Sequence, residues 1–212
     1  MTTVVIDYGA GNLRSVAKAL GTVAAESRAG EVIVSDDPTV IRRANRIVLP
    51  GVGAFADCKK GLESRPGVID ALAQSVLEAG RPFLGICVGM QLMATEGVEY
   101  GTHPGLDWIK GKVVKLTPDD PGLKIPQMGW NDLKLRSAHP VFAGLESGDH
   151  GYFVHSYHFI TDRPEDVLAA VDYGGEITAV IGRDNLIGVQ FHPEKSQKVG
   201  LKLLANFLAW KP

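Results

Sequence analysis

The pattern of hydrophobic positions in the first half of the chain predicts strands that alternate with helices. Short apolar runs bounded by glycine or proline are typical of strands buried in a parallel sheet, whereas apolar residues three and four apart are typical of a helix face. The predicted elements are a strand at residues 4–6, a helix at 13–20, a strand at 31–34, a helix at 38–44, a strand at 46–49, a helix at 66–80 with Ile69, Leu72, Val76 and Leu77 on one face, and a strand at 83–86. This alternation predicts an α/β fold.

The second half of the chain has a different rhythm. After about residue 105, short apolar runs are separated by turn signals such as those at 172–175 and 184–185, which predict hairpins. The chain closes with apolar residues at helical spacing, namely Val199, Leu203, Phe207 and Trp210. We expect this last helix to cover one face of the sheet.

Length and composition fit one globular unit. The chain has 212 residues, of which 45% are hydrophobic and 22% are charged, and it contains no internal repeat and no linker longer than a brief loop at 118–121. We therefore expect residues 1–212 to form a single domain. Its predicted architecture is a three-layer sandwich with a mixed, mostly parallel sheet between helices.

Charge and cysteine content argue against several classes of function. The formal net charge is −2 and the Lys and Arg residues are scattered, so no basic stripe is available to bind nucleic acid. No apolar stretch approaches the roughly 18 residues that span a bilayer, so membrane association is not expected. The two cysteines, Cys58 and Cys87, are too few for a disulfide framework, which favours a reducing, cytoplasmic location.

One of these cysteines lies at a predicted strand-to-helix turn. Residues 85–89 read GICVG and follow a buried strand, while 90–93 continue as a helix, which is the pattern of a nucleophile elbow. Glycines two residues to either side permit a strained backbone and close packing. We expect the helix N-terminus to favour the Cys87 thiolate and the Val88 N–H to face a developing oxyanion. On this pattern alone, an ordinary buried thiol remains an open alternative.

A histidine and a carboxylate complete a candidate triad. A late buried strand at 186–191 runs directly into His192, Pro193 and Glu194, where proline ends strand pairing. Residues two apart in extended backbone point the same way, so Glu194 is expected to accept a hydrogen bond from His192 and to fix its tautomer. A cysteine nucleophile, a histidine base and an orienting carboxylate follow the logic of a catalytic triad and predict an enzyme.

Two glycine-rich turns have different interpretations. Residues 50–53 read PGVG and follow a strand at the edge expected for the nucleophile, so the N–H of Val52 is expected to join that of Val88 in an oxyanion hole. The alternative is a plain turn. The turn at 9–11 suggests a dinucleotide fingerprint, but Arg14 stands where the third glycine would be, so we expect no cofactor there. No metal site is expected either.

Short sequence blocks spread from residue 7 to residue 196 carry a resemblance to a known family. The blocks are PGVG at 50–53, GICVGMQ at 85–91, DYGAGNL at 7–13, PQMGWN at 126–131, YFVHSY at 152–157 and HPEKS at 192–196. Together they resemble the class I, triad-type glutamine amidotransferases, and more narrowly the glutaminase subunits of imidazole glycerol phosphate synthase. One departure is Val88, where the family usually has leucine. Because the backbone N–H matters there, little consequence is expected.

The resemblance implies a flavodoxin-like amidotransferase domain and a definite reaction. Cys87 would attack the side-chain amide of L-glutamine, ammonia would leave with a proton from His192, and the glutamyl thioester would be hydrolysed to glutamate. The groups implied to hold the amino-acid end of glutamine are Gln91 and the backbone around Gly53, Ser156 and Tyr157.

The resemblance also implies a partner protein, since ammonia protonates in water and needs a sealed route to a second active site. In the family the partner is a (βα)₈ cyclase subunit, which makes imidazole glycerol phosphate and aminoimidazole carboxamide ribonucleotide in histidine biosynthesis. The positions implied at this interface are Asn12, Met128, Trp130, Asn131, Tyr152 and Lys195. For Trp130 and Tyr152, ordinary core packing is the alternative.

Three other interpretations remain open. A glutaminase subunit that serves pyridoxal phosphate, anthranilate or purine synthesis has the same triad, although the blocks at 128–131 and 152–157 argue against it. Related cysteine hydrolases and chaperone-like proteins carry histidine immediately after the nucleophile, where this chain has Val88. The third is a non-catalytic binding module that kept the fold, and the complete triad argues against it.

Overall fold

The computed structural model describes all 212 residues. The strands are β1 Thr2–Ile6, β2 Glu31–Ser35, β3 Arg46–Gly51, β4 Phe83–Cys87, β5 Glu96–Gly97, β6 His103–Pro104, β7 Gly111–Lys115, β8 Gln127–Asp132, β9 Lys134–Leu135, β10 His150–His155, β11 Tyr157–Thr161, β12 Val167–Asp172, β13 Glu176–Arg183 and β14 Leu186–Val189. The α-helices are α1 Leu13–Ser27, α2 Pro38–Arg43, α3 Phe55–Glu63, α4 Val68–Ala73, α5 Val88–Gln91 and α6 Gln197–Ala209.

The central sheet has eight strands in the order β2-β1-β3-β4-β14-β13-β12-β9. The strands from β2 to β14 are parallel, and the remaining pairings are antiparallel. The connections from β1 to β2 and from β2 to β3 run in opposite directions along the sheet. Because such crossovers are right-handed, α1 and α2 lie on opposite faces. Helix α6 packs beside α1 and α4 packs beside α2, so the predicted three-layer sandwich is confirmed.

Two smaller sheets lie beside the central one. Strand β10 pairs with β8, and a four-stranded sheet has the order β11-β7-β5-β6. Strand β10 ends at His155 and β11 begins at Tyr157, so Ser156 joins the two small sheets. The hairpins predicted at 172–175 and 184–185 are confirmed, since these turns join β12 to β13 and β13 to β14.

The carboxyl ends of β3, β4 and β14 meet at one edge of the central sheet. Strands β3 and β4 stay in register up to Gly51, which lies opposite Cys87. Strand β14 pairs with β4 as far as Val189, opposite Ile86, and the chain then runs on to His192. Residues that follow neighbouring parallel strands share one side of the sheet, where ligands bind in folds of this kind.

The helices predicted between β3 and β4 are partly wrong. The helix expected at 66–80 begins at Val68 and continues from residue 74 as a π-helical segment, Gln74–Glu78. The wider turn changes the direction in which later side chains point, so Val76 is fully buried while Leu77, predicted on the same buried face, is 52% exposed. Helix α3 was not predicted, and α5 ends at Gln91 instead of continuing to residue 93.

The interior is one hydrophobic cluster of 55 buried residues, which includes the apolar side of α6. The predicted closing helix is confirmed, although it ends at Ala209 and Trp210 follows it as a buried capping residue. The buried guanidinium of Arg46 donates to the carbonyls of Phe207 and Trp210 and so satisfies the end of this helix. None of the helices has the length and hydropathy required to span a membrane.

Candidate active site

Cys87 is the last residue of β4 and has a strained backbone, with φ 53° and ψ −112°. Neighbouring segments approach this turn closely. A Cβ at Gly89 would lie 1.8 Å from the Leu49 carbonyl oxygen, and a Cβ at Gly85 would lie 2.6 Å from that of Gly89. Glycine is therefore required at both positions, as in the nucleophile elbow inferred from the sequence. A strained non-glycine residue held by such packing indicates a functional position.

His192 and Glu194 form a buried ion pair. His192 Nδ1 lies 2.9 Å from Glu194 Oε1, and the two side chains are 3% and 1% exposed. Since a carboxylate only accepts hydrogen bonds, Nδ1 carries the proton of the imidazole. The other ring nitrogen, Nε2, is buried and has no hydrogen-bond partner, so it is the atom available for proton exchange.

The surroundings of His192 favour its charged form. Burial lowers its pKa, but the proximity of Cys87 and the hydrogen bond and charge interaction with Glu194 outweigh this effect and raise the pKa to about 9. Cys87 and His192 line the same cavity, although Nε2 does not complete a hydrogen bond in this structure. Hydrogen bonds between catalytic groups are often long before substrate binds, so this geometry is compatible with the expected nucleophile and base.

The position of His192 is set by its backbone as well as by Glu194. Ser196 Oγ donates to the His192 carbonyl at 2.7 Å and accepts from the Tyr152 N–H at 2.9 Å. Asn12 Nδ2 makes a long contact of 3.5 Å to Glu194 Oε1. Asn12 therefore lies beside the His192–Glu194 pair. Ser196 supports the His192 backbone and was not expected to do so from the sequence.

A cavity of about 430 Å³ opens beside Cys87. Eight residues named from the sequence for catalysis or substrate binding line it, namely Val52, Gly53, Cys87, Val88, Gln91, Ser156, Tyr157 and His192. Five further lining residues were not expected there, namely Glu99, Pro126, Val154, His155 and Lys195. Four of them lie in the sequence blocks at 126–131, 152–157 and 192–196 but had not been assigned to this cavity, whereas Glu99 lies outside every block and only the tertiary fold reveals it.

Gln91 is held by its own amide nitrogen. Its Nε2 donates to the Tyr157 carbonyl and to Gln190 Oε1, each at 3.0 Å, and the side chain is 3% exposed. Both N–H groups are used, so only Oε1 remains free to accept a hydrogen bond from a ligand. The Tyr157 carbonyl also accepts a hydrogen bond from His155 Nδ1 at 2.8 Å, so the positions of Gln91, Tyr157 and His155 in the cavity lining are coupled.

Two buried hydrogen-bond donors hold the loop at 50–53 in place. The Tyr8 hydroxyl donates to the Pro50 carbonyl at 2.8 Å, and Cys58 Sγ donates to the Val52 carbonyl at 3.3 Å. Burial raises the pKa of Tyr8 and raises that of Cys58 to about 11, so both groups keep the protons that they donate. Gly53 follows with φ +98°, a conformation that favours glycine.

Four residues named from the sequence for partner binding form one surface, the β8–β10 patch, defined by Met128, Trp130, Tyr152 and Lys195. Trp130 and Tyr152 stack edge to face with ring centroids 5.6 Å apart, and Lys195 Nζ lies 5.9 Å from the Tyr152 ring. Met128 and Trp130 are 64% and 47% exposed. Lys195 also lines the cavity, so the patch and the cavity are neighbours. Asn131 differs, since its Nδ2 donates to the Asp172 carbonyl within the chain.

A strained cysteine and a buried histidine–carboxylate pair at the carboxyl edge of a parallel sheet are features of cysteine-dependent hydrolases. Residues 4–210 match the family model "Glutamine amidotransferase class-I". Imidazole glycerol phosphate synthase subunit HisH is 56% identical over 212 residues in Ruegeria pomeroyi and 58% identical over 214 residues in Rhodospirillum rubrum, with all of each chain covered. The chain therefore belongs to the class-I glutamine amidotransferases and, within them, to the HisH family.

Solved structures agree on the fold. A glutamine amidotransferase structure has a TM-score of 0.71 at 20% identity and covers 98% of this chain and 99% of its own. PurLQS from Thermotoga maritima also has a TM-score of 0.71 at 20% identity, and the match covers 98% of this chain and 97% of that one. At this identity the likeness concerns the fold alone, and it confirms the amidotransferase-like sandwich.

Proposed function

We propose that this chain is the glutaminase subunit of an imidazole glycerol phosphate synthase and that Cys87, His192 and Glu194 hydrolyse L-glutamine to glutamate and ammonia. The observation that carries the proposal is the buried His192–Glu194 pair, whose free Nε2 adjoins the cavity that also contains the strained Cys87. The names of full-length relatives, 53–58% identical, support the same function.

The reaction follows from the protonation states of the site. With His192 charged, the Cys87 thiolate attacks the amide carbon of glutamine, so a C–S bond forms and the carbonyl oxygen becomes an oxyanion. The N–H groups of Val52 and Val88 stabilise that oxyanion. His192 gives its proton to the amide nitrogen, the C–N bond breaks, and ammonia leaves. His192 then removes a proton from water, whose oxygen attacks the thioester carbon; the C–S bond breaks, glutamate is released, and the Cys87 thiolate and the charged His192 are restored.

The cavity offers complementary groups to the amino-acid end of glutamine. The free Oε1 of Gln91 can accept a hydrogen bond from the α-ammonium group, since its Nε2 is already bound. Backbone at Gly53, Ser156 and Tyr157 lies on the same cavity wall and can bind the α-carboxylate and α-ammonium groups. Glu99 is a further acceptor, but one of its oxygens already accepts from the Phe55 N–H at 2.7 Å.

A (βα)₈ cyclase subunit is the proposed partner, and the β8–β10 patch is its proposed docking surface. Trp and Tyr side chains are frequent anchors in protein interfaces, Trp130 is exposed and Tyr152 is half-buried, and this patch adjoins the cavity where ammonia would be released. A partner seated there would shorten the path of ammonia to the second active site. Asn12 and Asn131, which make contacts within the chain, contribute less to this surface than the sequence suggested.

Two further statements belong to the same proposal. We infer that residues 1–212 act as a single amidotransferase domain, which the single hydrophobic cluster supports. We also infer a cytoplasmic location, which the two free cysteines support because neither forms a disulfide. Amidotransferase subunits for pyridoxal phosphate, anthranilate or purine synthesis are the competing assignment, and the names of the full-length relatives disfavour it.

The test is glutamate release by the complex of this chain with the cyclase subunit, with and without the cyclase nucleotide. Cys87→Ala is expected to release no glutamate above background, while free ammonia still supports imidazole glycerol phosphate formation by the same complex. The ammonia reaction is the control for folding and assembly. His103→Ala is the control for the effect of a substitution outside the cavity lining. Glutamate release by Cys87→Ala at the wild-type rate would contradict the proposed nucleophile.

A further inference from the structure

Gln190 is a fully buried polar residue beside the nucleophile that the mechanism above does not use. It follows β14 and precedes His192 by two residues, and its backbone N–H donates to the Ala179 carbonyl. Its side-chain Nε2 donates to Cys87 Sγ at 3.6 Å, and its Oε1 accepts from Gln91 Nε2 at 3.0 Å. A buried amide is costly unless it is hydrogen-bonded, so its polar contacts determine where it can point.

The direction of this amide is fixed by a main-chain group. The Tyr157 carbonyl can only accept, so the end of Gln91 that faces it must be the NH₂ group. The second N–H of that group meets Gln190, whose facing atom must therefore be oxygen. The opposite end of the Gln190 amide, which faces Cys87, is then the donor. Reversing either amide would place two acceptors or two donors against each other.

Apart from the charged His192, sources of stabilisation for a thiolate are limited at this site. The sulfur belongs to a residue that is 4% exposed, so water contributes little. The helix that follows Cys87 is a single turn, Val88–Gln91, so its dipole is smaller than the sequence analysis assumed. Nearby hydrogen-bond donors must therefore contribute more to stabilising the negative charge on the sulfur. Hydrogen bonds from N–H groups favour the ionised form of an acceptor.

We propose that Gln190 is a positioning residue for the nucleophile: its amide N–H donates to Cys87 Sγ, holds the sulfur in place and stabilises the thiolate. His192 then approaches the sulfur as the proton partner, while Gln190 supplies a permanent donor. The same amide connects the sulfur through Gln91 to the Tyr157 carbonyl. One hydrogen-bond network therefore holds both the nucleophile and the cavity-lining residues Gln91 and Tyr157. This inference rests on the proposed function only in taking Cys87 as the nucleophile.

The reactivity of the thiol tests this inference without glutamine turnover. The rate of Cys87 alkylation by iodoacetamide is measured as a function of pH in the full chain. Peptide mass spectrometry distinguishes alkylation of Cys87 from alkylation of Cys58. Gln190→Met keeps the side-chain volume and removes the donor. We expect the midpoint of the pH profile to rise by about one unit and the rate at neutral pH to fall about tenfold, the effect of losing one charge-assisted hydrogen bond. Gln127→Met is the matched control, since Gln127 is buried beside His155 without contacting Cys87, and its midpoint is expected to equal that of the wild type.

A second variant separates hydrogen bonding from other effects. Gln190→Glu keeps the shape and the acceptor for Gln91, and it is expected to raise the midpoint at least as far as Gln190→Met. If circular dichroism shows that Gln190→Met is unfolded, Gln190→Leu, which also lacks the donor and adds no charge, takes its place. A wild-type profile retained in the folded Gln190 variants overturns the role of Gln190 while leaving the proposed function intact. A shift in Gln190→Glu alone, with folded Gln190→Met unchanged, reflects added charge and also overturns it. A wild-type pH midpoint no lower than that of a cysteine in the unfolded chain contradicts the proposed function itself.

Discussion

Glu194 accepts a hydrogen bond from His192 Nδ1 at 2.9 Å, and no more than 3% of either side chain is exposed. A buried carboxylate in this position fixes which ring nitrogen carries the proton, and it stabilises the imidazolium that forms beside Cys87. In the proposed mechanism the chemistry therefore depends on a residue that does not line the cavity.

Glu194→Gln is expected to lower kcat for glutamate release by about 10²-fold or more, because the amide can present an N–H to Nδ1 and favour the wrong tautomer. The measurement is kcat in the complex with the cyclase subunit. Glu176→Gln, an exposed residue paired with Arg136, is the control and should retain the wild-type kcat. An unchanged kcat in Glu194→Gln would show that the carboxylate does not orient the base.

The glycines of the elbow give a prediction about stability. Gly89→Ala places a Cβ 1.8 Å from the Leu49 carbonyl oxygen, so we expect it to lower the free energy of unfolding by about 3 kcal/mol or more. Gly21→Ala is the matched control. Gly21 lies within α1 with no atom within 4 Å of an added Cβ, so the same substitution should stabilise by about 0.5 to 1 kcal/mol. Urea denaturation measures both values, and equal effects at the two positions would contradict the packing described.

Acid is expected to destabilise the protein through two buried histidines. Burial lowers the pKa values of His155 and His158 from 6.5 to about 4, so both are neutral in the folded state. Between pH 6.5 and 4 these two histidines bind protons in the unfolded chain but stay neutral in the folded protein. The free energy of unfolding therefore falls as pH falls through this window. His158 Nδ1 has no hydrogen-bond partner, so His158→Leu should fold and lose stability less steeply.

The measurement is the free energy of unfolding at several pH values across that window. The exposed His150 provides a control, and His150→Gln should follow the wild-type pH dependence more closely than His158→Leu does. A slope for His158→Leu equal to that of the wild type would mean that His158 does not remain neutral in the folded protein.

The β8–β10 patch leads to a prediction about assembly. Trp130→Ala is expected to weaken binding to the cyclase subunit by about tenfold to a hundredfold, since it removes an exposed aromatic anchor and its stacking on Tyr152. Leu77→Ala removes a similarly exposed apolar side chain from the π-helical segment and is expected to leave the affinity unchanged. Isothermal titration calorimetry measures the Kd values. Equal affinities for the wild type and Trp130→Ala would place the interface elsewhere.

Much of this site could be predicted from the sequence, because its parts are local in the chain. The elbow around Cys87 is recognisable from five consecutive residues. The pairing of His192 with Glu194 follows from the two-residue repeat of extended backbone. Glu99 and Gln190 were missed because their roles depend on contacts between distant segments. A glutamine at the end of a buried strand carries no local sign that it will meet a sulfur.

The errors in the fold have equally specific causes. Helix α3 was not predicted, although it has a usable local signal: its buried residues recur at helical spacing, namely Phe55, Cys58, Lys59 and Leu62. The exposure of Leu77 could not be foreseen, because a π-helical turn depends on packing and changes the helical period within a single segment.

The central claim is that glutamine passes through a thioester on Cys87, and the most direct measurement is the mass of that residue during turnover. The complex with the cyclase subunit is given glutamine and the cyclase nucleotide, stopped with acid and digested for mass spectrometry. We predict that the peptide containing Cys87 gains the mass of one glutamyl group, that the Cys58 peptide does not, and that hydroxylamine removes the added mass. Continued glutamate release with no adduct on Cys87, or with the adduct on Cys58, would contradict the account.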